Sequence, residues 1–229
     1  VTASTLAARG GLNLLTGTID DGGKTLTFGG NIVNNSTHTG IGKITLNGTT
    51  PQTIGGNGLG NFQNLEIAST SGAVGSVGVT ATNTLRVNGN LNIATDRLLN
   101  IGIYRLRLQA GSAITSTPGA FSNNRYIQTA GFQSDGGIVK TFNSTSPFVF
   151  PMGTAVNNYT PATIQFSAVP SSWGTLNLRP VTARQLYVTD PDCFEYYWKV
   201  RGTGFSGVPA NSVNLTFNYG NLPDNATYI

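Results

Sequence analysis

The sequence predicts an all-β protein: a right-handed parallel β-helix or closely related β-solenoid over residues 1–119, followed by an antiparallel β-sandwich-like module over residues 120–229. Three observations support this fold class. Short apolar-x-apolar units recur at a regular spacing typical of solenoids, glycine-rich clusters separate them, and 18 of the 21 aromatic residues follow residue 120. No segment shows sustained helical periodicity. The alternative fold is a β-sandwich with irregular strands.

The first predicted element is a column of apolar-x-apolar units whose starts are nearly evenly spaced, at Leu26, Ile44, Leu65 and Leu85. In an extended unit the two apolar side chains point to the same side and enter one interior. One unit cannot close a core, but stacked units bury a continuous column. Residues 85–114 also repeat the apolar spacing of residues 12–32, with Leu91 in the place of Leu12, which predicts an internal repeat.

Polar, glycine-rich clusters mark the corners between these units. They include residues 21–23 (DGG), 29–31 (GGN), 47–49 (NGT) and 55–58 (GGNG). Glycine and asparagine adopt a positive φ at low cost, so these clusters fit the places where a solenoid must turn.

After about residue 120 the pattern changes to longer alternating strands, which are typical of half-buried antiparallel sheets. The large aromatic residues are expected to fill a wider core than that of the solenoid. The last alternating segment reaches the end of the sequence, so this module is expected to be truncated at its C-terminal end. The predicted strands are residues 138–142, 147–150, 163–168, 175–179, 196–200 and 213–219.

The sequence points to no nucleic-acid partner and to no membrane insertion. The net charge is +4, and the 13 basic residues are spread along the chain, with Arg97, Arg105 and Arg107 forming the best small basic patch. No helical or aromatic-basic platform accompanies that patch, so we expect no nucleic-acid partner. No apolar run has the length of a membrane span, so we expect no membrane insertion.

Cys193 is the only cysteine, so no disulfide can form within the chain. Its neighbours include Phe194, Tyr196 and Trp198, and an aromatic surrounding is typical of a buried, inert thiol.

Catalytic constellations are scarce in the sequence. His38 is the only histidine and lies in a polar stretch without an acidic residue nearby in sequence, which predicts a solvent-exposed turn histidine rather than a catalytic base. Residues 1–119 contain only the carboxylates Asp20, Asp21, Glu66 and Asp96, which are too dispersed for a glycosidase pair. We therefore expect no enzymatic activity, although a β-helix polysaccharide-active enzyme stays open as an alternative.

Two acidic segments are candidate calcium sites, and no other cofactor is expected. The denser one combines Asp190, Asp192 and Glu195, and the weaker one is Asp20 with Asp21. Calcium takes six to eight oxygen ligands, which carboxylates and backbone carbonyls could supply. Asp-Gly and Asp-Pro turns also occur for backbone reasons alone.

Two aromatic residues are candidates for stacking on sugar rings. Trp173 is flanked by serines and a glycine and is expected to be exposed, and Tyr187 is the second candidate. The alternative is that they belong to the core. Stacking of these residues on sugar rings would make the chain a carbohydrate-binding module, which is an alternative function.

Several motifs resemble a known family. Residues 48–56 (GTTPQTIGG) with 62–67 (FQNLEI) are similar to a repeated turn in large repetitive, adhesin-like surface proteins of Bacteroidota. The downstream segments that resemble the region following such turns are 137–142 (GIVKTF), 148–153 (FVFPMG) and 159–164 (YTPATI). Residues 197–200 (YWKV) resemble the strand that begins the next module. The motifs are structural, and they transfer no catalytic residue.

The resemblance implies export by the type IX secretion system and a place outside the cell or on its surface, at the outer face of a Gram-negative bacterium. We accordingly expect a non-catalytic structural or adhesive module of a large exported protein, acting as a stalk, filament subunit or adhesin scaffold. The expected partners are neighbouring modules of the same or identical chains, and surface glycans.

Overall fold

Short β-strands joined by corners and loops make up the described part of the protein. The computed structural model describes residues 5–189 and 193–220. Within these ranges no helix is present that could cross a membrane. In chain order the strands are β1 (Thr5–Ala8), β2 (Leu12–Leu14), β3 (Thr18–Asp20), β4 (Thr25–Phe28), β5 (Ile32–Asn34), β6 (Thr37–Thr39), β7 (Lys43–Leu46), β8 (Gln52–Gly55), β9 (Asn61–Phe62), β10 (Leu65–Ile67), β11 (Val77–Ala81), β12 (Leu85–Val87), β13 (Leu91–Ile93), β14 (Leu98–Gly102), β15 (Arg105–Leu108), β16 (Ile114–Thr115), β17 (Ile127–Thr129), β18 (Gly137–Thr141), β19 (Phe148–Phe150), β20 (Met152–Gly153), β21 (Ala162–Phe166), β22 (Thr175–Val181), β23 (Tyr197–Thr203) and β24 (Val213–Phe217).

Strands β1 to β18 fall in turn on three parallel sheets, which we call faces A, B and C. Face A has the order β1-β4-β7-β10-β13-β16, and face B has the order β2-β5-β8-β11-β14-β17-β20. Face C runs β3-β6-β9-β12-β15-β18 and continues into β22 and β23. Each turn of the chain therefore contributes one strand to each face, and the predicted β-solenoid is confirmed.

The core of the solenoid is built from columns of apolar side chains in register. On face A, Leu26, Ile44, Leu65, Leu91 and Ile114 are successive partners. Leu26 is 7% exposed and the next three are at most 1% exposed. Neighbouring strands lie about 4.8 Å apart, so each side chain packs directly on the one in the turn below.

The predicted internal repeat is wrong in its alignment. Leu85, which the sequence placed next in the column after Leu65, lies on face C in β12, and Leu91 of β13 takes that position. Likewise Leu12 lies on face B, whereas Leu91, its counterpart in the predicted repeat, lies on face A. All three faces use the same apolar-x-apolar pattern, so the sequence comparison matched strands of different faces.

Parallel stacking continues past residue 119 into the region that the sequence assigned to the second module. Strand β14 pairs with β17, β15 with β18, and β17 with β20, all in parallel. From β18 onward the added strands are antiparallel: β22 pairs with β18 and β23 pairs with β22. A separate antiparallel sheet, β19-β21-β24, completes the predicted second module.

Aromatic residues form the core of this second module, as the sequence predicts. Phe166 packs on Phe142 and Phe205, with ring centroids 5.4 and 5.3 Å apart, and Phe148 packs on Phe150 at 4.9 Å. Phe142, Phe150 and Phe166 belong to the same buried cluster as the solenoid core. This aromatic cap therefore covers the C-terminal end of the apolar column.

The first turn has no comparable cover within the described residues. Strands β1, β2 and β3 each have a hydrogen-bonded neighbour on one side only. Leu12 and Ile19 are only partly buried, whereas Ile32, the partner of Leu12 in the next turn, is 0% exposed. Leu6 and Leu15 are each 59% exposed. We call this end the open end of the solenoid.

Candidate functional site

A polar groove runs along the outer surface of face A. It has a volume of about 460 Å³ and extends from Thr25 on β4 to Thr115 on β16. Its floor is formed by the central residues of the apolar-x-apolar units, because those side chains point away from the core. Ile41, which is 91% exposed, projects at its rim.

Glu66 is the hub of the hydrogen bonds on the groove floor. It accepts hydrogen bonds from Lys43 Nζ at 2.6 Å, Asn92 Nδ2 at 3.0 Å and Thr45 Oγ1 at 3.3 Å. Desolvation acts to raise the pKa of Glu66, but the hydrogen bonds from Lys43 and Asn92 and the positive charge of Lys43 outweigh it and lower that pKa. Glu66 is therefore held as a carboxylate.

Asn92 links Glu66 to the far wall of the groove. Its Oδ1 accepts hydrogen bonds from Thr115 Oγ1 and from the backbone N–H of Thr117, both at 3.0 Å. Its Nδ2 also donates to the carbonyl oxygen of Thr117 at 3.0 Å. Two backbone contacts and two side-chain contacts, the latter with Thr115 and Glu66, fix the amide, so the groove presents polar groups at set positions.

A ladder of asparagines holds the corner that forms the near wall. Asn64 Nδ2 donates to the carbonyl oxygen of Gly42 at 2.7 Å, and Asn64 Oδ1 accepts from the N–H of Asn90 at 2.9 Å. Asn90 Oδ1 accepts in turn from the N–H of Ala113 at 3.2 Å. The corner is thus tied across four successive turns.

The groove presents fixed polar groups and a single carboxylate among its described lining residues. Fixed amides, hydroxyls and one carboxylate are the groups that hydrogen-bond a hydroxyl-rich ligand. Glycoside hydrolysis requires two carboxyl groups flanking the scissile bond. Among the described residues that line the groove, Glu66 is the one carboxylate, and its oxygens are occupied by Lys43, Thr45 and Asn92.

The sequence did not identify Glu66, Lys43 or Asn92 as site residues. The signal that could have found Glu66 and Asn92 is the central residue of each unit on face A, as in Leu65-Glu66-Ile67 and Leu91-Asn92-Ile93, whereas Lys43 precedes its unit, Ile44-Thr45-Leu46. Using that signal requires knowing which units share a face.

The prediction of an exposed His38 is wrong. His38 lies in the short strand β6, opposite Ile19, and is 1% exposed. Its Nε2 is 2.9 Å from Oδ2 of Asp21, and both side chains are fully buried. Asp21 precedes His38 by close to one turn of the solenoid. The contact therefore joins adjacent turns and is not visible among the sequence neighbours of His38.

Asp21 accepts hydrogen bonds from backbone N–H groups in addition to its contact with His38. Its Oδ1 accepts hydrogen bonds from the N–H groups of Gly23 at 2.7 Å and Gly42 at 3.0 Å. Asp20 Oδ1 accepts from the N–H of Gly22 at 2.9 Å. These contacts match the backbone interpretation of the Asp-Gly turn that the sequence left open beside calcium.

The second calcium candidate falls largely outside the described residues. Asp190 and Asp192 lie in the undescribed segment, and Glu195 is exposed. Among residues 5–189 and 193–220 no three His, Cys, Asp or Glu side chains come together as metal ligands. A calcium ion at Asp190, Asp192 and Glu195 stays a prediction. Cys193, expected to be buried, is partly exposed.

The two candidate sugar-stacking residues differ in exposure. Trp173 is less exposed than expected: it packs edge-on against Phe166, with ring centroids 5.2 Å apart, and contacts the core cluster. Tyr187 is 88% exposed. Neither residue lines the groove on face A. Their role in ligand binding stays a prediction.

Comparison with family models, with curated proteins and with solved structures gave no match to this chain.

Proposed function

We propose that this chain is a non-catalytic structural or adhesive module of a large exported cell-surface protein, serving as a stalk, filament subunit or adhesin scaffold. The observation that carries the proposal is the difference between the two ends of the solenoid. The aromatic cap covers one end, while at the open end Leu6 and Leu15 are exposed and, among the described residues, strands β1 to β3 are paired on one side only.

An open end of this kind favours stacking on a neighbouring module. The outer edges of β1, β2 and β3 have no strand partner in the described part of the chain, and their N–H and C=O groups can extend each of the three faces by one further strand. A new turn would also bury Leu12 and Ile19, which are only partly buried, as fully as Ile32 in the second turn. Such stacking transmits force along a stiff rod, since each turn contacts only its neighbours.

The neighbour is another module of the same chain or of an identical chain. The location outside the cell or on its surface, and export by type IX secretion, are supported by the resemblance of the motifs in residues 48–56 and 137–153 to adhesin-like proteins of Bacteroidota.

Electron microscopy and sedimentation at rising concentration test the proposal. We expect rods that lengthen by one module at a time. The variant Leu6→Glu/Leu15→Glu should abolish the lengthening, whereas Leu59→Glu/Val74→Glu, at residues 63% and 61% exposed, is a matched control that should not.

If the protein stays monomeric at high concentration, hydrogen exchange of the first turn shows whether its open end needs a neighbour. Monomers whose first turn exchanges freely indicate that the natural neighbour is a preceding module rather than a second copy. A monomer whose first turn is protected as strongly as the inner turns would contradict the proposal, because its end would then need no neighbour.

The groove on face A favours a second candidate function, that of a carbohydrate-binding module for surface glycans. A glycan array with the variant Glu66→Gln/Asn92→Ala tests it, and Trp173→Ala and Tyr187→Ala test the aromatic candidates. Loss of signal in the first variant alone would assign binding to the groove; loss in an aromatic variant alone would assign it elsewhere.

A further inference from the structure

Face C carries two rows of basic residues on its outer surface. In one row Arg86 pairs with Arg107, and the row continues through Val139 and Asn177 to Arg201. These side chains point outward, because the residues that alternate with them belong to the buried core. The row crosses five strands, a distance of about 19 Å at the usual spacing of strands.

The second row runs beside the first, two residues away from it on each strand. It begins at Arg105 on β15, next to Gly137 on β18, and continues with Arg179 on β22, which pairs with Lys199 on β23. A Cβ atom on Gly137 would lie 2.8 Å from the Cβ of Arg179, so the glycine leaves room for this arginine. The two rows together bring six of the 13 basic residues to one flat surface.

No carboxylate forms an ion pair with these six cations within the described residues. The three ion pairs there use His38, Lys43 and Arg125 as the basic partner. Asp135, the one carboxylate that acts electrostatically on Arg179, is 2% exposed. Desolvation, followed by repulsion from Arg86 and Arg105, lowers the pKa of Arg107. Apart from the effect of the buried Asp135 on Arg179, the positive charge of this surface has no carboxylate partner among the described residues.

Some of the cations are anchored and others have free head groups. Arg86 donates from Nε to the carbonyl oxygen of Gly58 at 2.7 Å. Arg179 donates from Nε to the carbonyl oxygen of Gln133 at 2.9 Å. In the described part of the chain, the other four donate no side-chain hydrogen bond; they are Arg105, Arg107, Lys199 and Arg201.

We propose that face C binds an acidic polysaccharide through the carboxylate or sulfate groups along its chain. Arginine forks bind such groups bidentately, and a rigid sheet holds several forks at a fixed spacing. Asn177 lies in the first row between Arg107 and Arg201. Its Oδ1 accepts a hydrogen bond from Arg179 at 3.2 Å and its Nδ2 donates to the carbonyl oxygen of Gly136 at 3.0 Å, so this amide helps to hold Arg179 in place.

A polysaccharide fits this surface better than a nucleic acid. The two rows themselves contain no aromatic ring on which unpaired bases could stack, and Tyr197, which flanks Lys199 on β23, accepts a hydrogen bond at its hydroxyl from Gln133 at 2.8 Å. The flat sheet also offers no helix or ribbon for the major groove of a duplex. The inference goes beyond the structural role proposed above, because it needs neither a neighbouring module nor the groove on face A.

Binding of the full chain to four immobilised polymers tests the proposal: polygalacturonate, dextran sulfate, neutral dextran and duplex DNA. We expect binding to polygalacturonate, to dextran sulfate or to both, weakening as salt rises, and none to neutral dextran. The stronger of the two acidic polymers identifies the acidic group. Absence of binding to both, or tighter binding to DNA, would overturn the proposal.

A matched pair of double variants locates the binding surface. Arg105→Gln/Arg107→Gln should lower the affinity at least ~10-fold and reduce the salt slope by roughly two, one for each lost cation. Arg9→Gln/Lys24→Gln removes the same charge from exposed positions near the open end and should change neither. Equal losses in the two variants would show that net charge alone acts, and would refute a site on face C. Sedimentation of the same variants shows separately whether stacking of modules is affected.

Discussion

The ammonium nitrogen of Lys140 lies 5.2 Å from the centroid of the Phe148 ring, where the solenoid meets the aromatic cap. It donates hydrogen bonds to the carbonyl oxygens of Gln109 and Ser112, both at 2.7 Å. Lys140 is 5% exposed and has no carboxylate partner among the described residues. Its charge is thus balanced by carbonyl dipoles and a ring face alone.

Stability should therefore rise with pH between about 8 and 10. Burial lowers the pKa of Lys140 to about 8, from 10.5 in an unfolded chain. Between these values the unfolded chain binds more protons, so the free energy of unfolding increases with pH. Above pH 10 the buried Tyr126, Tyr159 and Tyr196 act in the opposite direction, because burial raises the pKa of each to about 12.

Urea unfolding of the wild type and of Lys140→Met at several pH values between 8 and 10 measures this effect. The wild type should gain stability relative to the variant as the pH rises. Parallel curves for the two proteins would show that Lys140 is not responsible.

The buried pair of His38 and Asp21 predicts a loss of stability on the acid side. The N–H of Gln63 donates to Nδ1 of His38 at 3.2 Å, so Nε2 carries the proton and donates to Asp21, and the imidazole is neutral. Desolvation lowers the pKa of His38 below 6.5, although the charge of Asp21 opposes it. As pH falls through 6.5 the unfolded chain takes up a proton that the folded protein resists, and stability decreases.

His38 is the only histidine, so the effect can be assigned without ambiguity. Unfolding free energies of the wild type should fall between pH 7 and 5, and those of His38→Gln should fall less. Proton NMR of the single imidazole should place its titration below pH 6.5. Titration at or above that value would contradict a buried neutral histidine.

The solenoid was predictable because its pattern is local. Leu26, Ile44 and Leu65 could be stacked correctly from their spacing, since the corners between them are similar in length. Between Leu65 and Leu91 the loop at residues 68–76 lengthens the turn, and an equally good unit at Leu85 intervenes on face C. Spacing alone cannot tell which of the three faces a unit joins, because all three faces use the same apolar-x-apolar pattern.

The candidate sites could not be identified from the sequence for the same reason, namely that spacing does not assign a strand to a face. Only when strands are assigned to a face does Glu66 become a neighbour of Lys43, and does Arg107 join the same row as Arg201. For Arg201 the connection also passes through antiparallel strands that follow long loops. The burial of His38 was missed because its sequence neighbours are polar, whereas its neighbours in space belong to adjacent turns.

Truncation of one column residue should be costly. Leu65 is 1% exposed and lies between Ile44 and Leu91 in the turns on either side. The change Leu65→Ala should lower the free energy of unfolding by about 2–5 kcal/mol, through lost burial and the cavity left behind. Leu59→Ala, at a residue 63% exposed, is the control and should stay within about 0.5 kcal/mol of the wild type in urea unfolding. Similar losses in both variants would argue against a continuous column.

The close approach of successive turns makes Gly42 sensitive to the smallest side chain. A Cβ atom there would lie 2.0 Å from the carbonyl oxygen of Lys24 in the turn below, whereas one on Gly10 would meet nothing within 4 Å. Neither glycine has a positive φ, so the comparison isolates the steric effect. We expect Gly42→Ala to cost about 1–3 kcal/mol of stability, and Gly10→Ala to cost under about 0.5 kcal/mol.

A second measurement follows from the hydrogen bond that the N–H of Gly42 donates to Oδ1 of Asp21. Pushing the backbone at Gly42 away from Lys24 also displaces this donor, and Asp21 holds His38. The NMR titration of the single imidazole should therefore shift in Gly42→Ala and stay unchanged in Gly10→Ala. An unshifted titration in a destabilised Gly42→Ala would mean that the turn moves as a unit and carries Asp21 with it.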